Sequence, residues 1–167
     1  INEPVHHPDN IKQAVGYIDT LVDAVRATGS RQITFHNYSQ DFRIADALAA
    51  SKVQGIDFGW YPSGLMSGRT QQGNFLHAVD RYPDLLNPKL ANKPRIVYEF
   101  DQGDLNTGYL YPAMARTFRS VGAQFAAVFA YDMLATAPYN LSWQTHFINL
   151  VHTPRKAVSA VIAGEAM

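Results

Sequence analysis

Short runs that are apolar almost throughout alternate along this chain with longer segments whose apolar residues recur every three or four positions, and no other feature limits the possible folds so sharply. A strand-like end at residues 1–3 precedes a helical pattern from Ile11 to Ala27, in which Ala14, Ile18, Val22 and Val25 share one side and which Gly29 closes. Residues 32–38 (QITFHNY) read as a strand, 41–51 as an alanine-rich helix, and 53–64 as an apolar stretch ending in Trp60-Tyr61-Pro62. A helical segment is expected over 74–86, a strand over 95–100, a helix over 109–121, a last buried strand over 123–132 and a final helix over 154–163. Strands apolar along their whole length belong in a parallel sheet covered by helices, so the fold class is α/β, built of strand-helix units. Polar and aromatic residues collect at the C-terminal end of each strand: Asn2-Glu3, His36-Asn37, Trp60-Tyr61, Glu99 and Tyr131-Asp132. In parallel α/β folds that edge is where ligands bind.

Bulk properties narrow the function. The 167 residues suffice for one domain with a sizeable core, and nothing in the chain resembles a linker or a repeat. Fourteen basic residues balance fourteen acidic ones, which leaves no basic stripe for nucleic acid. The absence of cysteine removes disulfides, thiolate catalysis and cysteine-bound metals. No apolar run approaches the ~18 residues of a membrane span, so no membrane partner is expected. The first residue is Ile1 rather than Met, on what reads as a strand end, which leads us to expect a portion of a longer protein.

Ninety-six residues separate Glu3 from Glu99, about three strand-helix units at roughly 30 residues each. In a closed eight-stranded barrel, strands three apart face each other across the mouth. Carboxyls meeting there at ~5–5.5 Å are the pair that a retaining glycosidase needs. In an open sheet the same two acids would instead lie far apart along one edge.

Asn2-Glu3-Pro4 at a strand end, followed three strands later by the Glu of "IVYEF", resembles the clan A (β/α)8 retaining glycoside hydrolases. The resemblance implies a TIM barrel of which residues 1–167 form strands four to eight, with three βα units expected upstream of Ile1 and required for activity. It implies Glu3 as acid/base, Asn2 as a hydrogen-bond partner of the sugar 2-hydroxyl, Glu99 as nucleophile and Tyr61 beside that nucleophile. The implied activity is cleavage of β-glycosidic bonds in poly- or oligosaccharides by double displacement, with no cofactor or metal. The alternative is a barrel that binds carbohydrate without cleaving it. A secreted or periplasmic location is the expectation for a polysaccharide-degrading enzyme.

His36 and Asn37 are candidates to line the sugar site or to make structural hydrogen bonds. Trp60 suits either stacking or rim packing. Tyr131 ends the eighth strand, where the family usually has Trp, and Trp143 and Tyr139 lie on the loop beyond it, suited to stacking on sugar C–H faces. His6, His7 and Asp9 lack ligand spacing and read as the polar start of a helix rather than as a metal site.

Overall fold

In the computed structural model of the protein, residues 8–37, 44–64, 71–81, 86–129, 135, 139 and 148–167 are described. Glu3, Asn2, Tyr131 and Trp143, with the expected first strand, lie outside them.

Four helices, α1 (Ile11–Ala27), α2 (Ala45–Ala50), α3 (Leu110–Ser120) and α4 (Pro154–Ala166), and four strands, β1 (Phe35–Asn37), β2 (Gly55–Trp60), β3 (Arg95–Phe100) and β4 (Ala123–Val128), follow one another in the order α1-β1-α2-β2-β3-α3-β4-α4, with no α-helix between β2 and β3 among the described residues. The α/β expectation holds among these residues. The strands form one sheet in chain order, β1-β2-β3-β4, and every neighbouring pair is parallel.

Local chemistry explains the boundaries. Asn10 caps α1 by accepting the Lys12 amide at 2.9 Å, and Gly29, at φ 85°, terminates it in a backbone conformation that other residues avoid. Pro154 opens α4 in the first turn, where its missing N–H costs no helical bond. β1 is shorter than the run 32–38 suggests because the backbone before it bonds to side chains. Arg26 donates to the Gln32 carbonyl at 2.6 Å, and the Thr34 amide donates to Gln54 at 3.2 Å.

The helix expected over 74–86 is not formed by the described residues of that stretch. A single 3₁₀ turn, Leu76–Ala78, stands there instead. Asn74 accepts the Leu76 amide at 3.0 Å, the Val79 carbonyl is taken by the Trp60 indole N–H at 3.2 Å, and Pro83 is incompatible with a helix interior.

The core lies on one side of the sheet. Ile56 and Phe58 of β2 and Val97 and Phe100 of β3 are buried beneath the helices. Phe118 of α3 meets the edges of Phe58 and Phe100 at ring-centroid distances of 6.0 and 5.1 Å, and Tyr111 meets Phe100 at 5.7 Å. From α1 come Ala14, Ile18 and Val22, and from α2 Ala45, Ala47 and Leu48. No described helix is long and apolar enough to cross a membrane. Because Phe118 is completely buried between two strands, Phe118→Ala is expected to destabilise the protein by about 3–5 kcal/mol in denaturant unfolding.

Candidate functional site

Side chains alternate sides along a strand, so the positions of β2 that alternate with the core-side residues Ile56, Phe58 and Trp60 point to the opposite face of the sheet. These are Gly55, Asp57 and Gly59. Register carries the assignment across: Asn37 pairs with Asp57, and Glu99 pairs with Gly59. The side away from the helices therefore carries Asn37, Asp57 and Glu99 near the C-terminal ends of three successive strands.

Glu99 reaches that side through a bulge. Phe58 pairs with Val97 and Gly59 with Glu99, so Tyr98 is an extra residue against β2; toward β4 the pairing likewise skips from Val97 to Phe100. The bulge changes parity, returning Phe100 to the core and turning both Tyr98 and Glu99 onto the open side. A Cβ added to Gly59 would lie 3.0 Å from Cγ of Glu99, 3.3 Å from its Oε1 and 3.3 Å from the Tyr98 ring. The two side chains converge over a position that glycine leaves vacant. Gly55 does the same for Phe35, whose ring occupies the space a side chain at 55 would need.

Asp57, between the two glycines, is only 8% exposed. Its Oδ1 accepts the Tyr98 amide at 3.2 Å. Burial pushes its pKa from 3.8 up to about 7, the Tyr98 hydrogen bond opposes the rise, and the charge of Glu99 adds to it. Asp57 is absent from the residues expected at the site, although an acid inside the otherwise apolar run GIDFGW is a visible signal.

Beyond Glu99 the chain enters a buried polar turn, residues 101–105. Asp101 is inaccessible and lies 3.1 Å from the Lys156 ammonium of α4, itself 1% exposed. The same carboxylate accepts the Tyr111 hydroxyl and, at 2.8 Å, the Gln102 amide. Burial raises the Tyr111 pKa well above its ordinary value, reinforced by the negative Asp101, whereas burial lowers that of Lys156 against the opposing pull of Asp101. Asp104, with φ at 60°, closes the turn, and its carbonyl accepts the Gln71 amide at 2.7 Å.

The other expected site residues divide by side. Trp60 shares the helix-packed side with its partner Phe100, and its indole holds the Val79 carbonyl, the rim-packing role. His36 is in register with Ile56 on that side, fully buried, with Nδ1 donating to the Asn37 carbonyl at 2.7 Å. Tyr61 follows β2, half-buried, and acts electrostatically on Tyr111. Asn37 and Glu99 are brought to one face; the distances from Glu99 to Glu3, Asn2, Tyr131 and Trp143 fall outside the described residues. Among the described residues no group of three or more His, Asp or Glu is arranged to hold a metal ion. Comparison of the chain with protein-family models, curated proteins and solved structures finds no match.

Two outcomes follow from this geometry. Asp57 holds a proton in the folded protein that the unfolded chain releases near its ordinary pKa, so its contribution to stability is full below about pH 4 and is lost as pH rises through about 7. The unfolding free energy of the protein relative to Asp57→Asn is therefore expected to decline between those limits, measured by denaturant titration at a series of pH values. Gly59→Ala is expected to stay folded, with Tm lowered by roughly 2–4 °C for about 1 kcal/mol, because the displaced neighbour is the flexible Glu99 side chain. A crystal structure of the variant should show that carboxylate moved from its seat.

Proposed function

We propose that this chain forms strands four to eight, with their helices, of a (β/α)8 retaining glycoside hydrolase in which Glu99 is the nucleophile and Glu3 the acid/base. The observation that carries the reading is Glu99 itself: a bulge and a facing glycine bring it, at the C-terminal end of a parallel strand, onto the side that a closed barrel makes its interior.

The winding order supports the barrel. Right-handed crossovers that always advance one strand in the same direction put every helix on one side of the sheet. The other side then needs closure of the sheet upon itself. Two exposed apolar features agree with such closure. Phe125 of β4, 55% exposed, pairs with Ile96 on the open side. Val158, Val161 and Ile162 form an exposed stripe on α4, where a first barrel helix would pack. In this reading the missing strands and helices are encoded upstream of Ile1.

The chemistry follows. An oxygen of Glu99 attacks the anomeric carbon while the bond to the leaving oxygen breaks, and that oxygen takes the proton of Glu3. Water then attacks the same carbon, gives its proton to Glu3 and releases the Glu99 carboxylate. Asn2, Tyr61, Tyr131 and Trp143 contact the β-linked poly- or oligosaccharide substrate, in an extracellular or periplasmic setting, whereas Asn37, completely buried, is left the structural role.

In the intact protein, Glu99→Gln is expected to reduce hydrolysis of aryl β-glycosides by about 1,000-fold or more. Glu3→Ala is expected to slow substrates with poor leaving groups by about 100- to 10,000-fold and activated aryl glycosides far less. Undiminished turnover in either variant would exclude the assignment.

A further inference from the structure

The bulge that turns Glu99 onto the open side is braced by a side chain of the neighbouring strand. An inserted residue is out of register with its neighbours, and the ladder is disrupted around it. Tyr98 is that residue toward β2, and toward β4 residues 98 and 99 together face a single residue. Its amide points at Oδ1 of Asp57, 3.2 Å away on the adjacent strand.

We propose that Asp57 is the positioning residue for Glu99, its carboxyl oxygen accepting the amide of the inserted residue and so holding the backbone offset that seats Tyr98 and Glu99 together over Gly59. Three independent features converge on this role. Asp57 is two residues before Gly59 on the same side of β2, so one strand supplies both the acceptor and the empty space. Its side chain is nearly inaccessible, which keeps water from competing for the Tyr98 amide. A carboxyl group accepts through oxygen whether or not it carries a proton, so the support persists through its own ionisation. An asparagine carbonyl would serve equally; an apolar side chain of the same shape would not.

The inference rests on Glu99 being the nucleophile, and the test separates the two ideas. Asp57→Leu removes the acceptor with little change of shape, and Asp57→Asn keeps it. In the intact protein, the Leu variant is expected to lose about 100-fold in kcat on an aryl β-glycoside, with KM within about threefold. The Asn variant is expected to recover to within about tenfold of the parent. Hydrogen exchange of the Tyr98 amide, followed by NMR, gives a readout independent of activity: protected in the parent and Asn variant, fast in the Leu variant. If the Leu variant does not fold, Asp57→Ala takes its place in both measurements. Equal Tyr98 protection in all variants, or an Asn variant as impaired as the Leu variant, overturns the positioning role. A parent protein inactive on every β-glycoside, but with the expected exchange pattern, overturns the glycosidase reading and leaves the role of Asp57 in the bulge intact.

Discussion

The arrangement of the sheet rim depends on one buried ion pair. Asp101 and Lys156 are both withdrawn from water, and each alone would be a costly interior charge. Together with the Tyr111 hydroxyl and the Gln102 amide they satisfy one another, and the three elements that carry them cannot separate without stranding a charge. The pair fastens the turn leaving β3 to the start of α3 and to the first turns of α4. It lies two residues beyond Glu99. Strand β3 is thus fixed beyond its end by charge, and along its core side by Phe118 against Phe100.

Just before these two anchorages the strand does something irregular. A regular β3 would alternate Val97, Tyr98, Glu99 and Phe100 strictly, and Val97 and Phe100 would fall on opposite sides of the sheet. The inserted residue resolves the conflict, with both aromatic packing and a polar end on the open side. Core packing and site geometry are therefore two results of one offset.

Much of the architecture was legible in the sequence. Arg95–Phe100 is bounded by Pro94 before it and a polar turn after it, and its apolar run has the length of a strand. Helix α1 announces itself through Asn10, its spaced apolar residues and Gly29. The failures have a common cause. The residues over 74–86 have helical spacing, yet the Val79 carbonyl goes to the indole of Trp60, which is distant in sequence. Which side Trp60 and His36 face depends on register, and in strands buried on both faces hydrophobicity carries no record of side. The bulge leaves no trace in the letters YEF. Asp57 was visible as an anomaly, but its use depends on an amide forty-one residues away. Nothing in the letters around Asp101 and Asp104 marks these acids as interior, yet the fold encloses both.

Gly59 ties two positions of the chain into one choice. A methyl group there would crowd the Glu99 side chain at 3.0 Å, so a lineage that acquired a larger residue at 59 would have to move its glutamate, shorten the acid at 99 or lose the extra residue of the strand. Substitutions at these places should travel in pairs, and a chain that kept glutamate while losing glycine would have traded the aim of its carboxylate for a conventional strand.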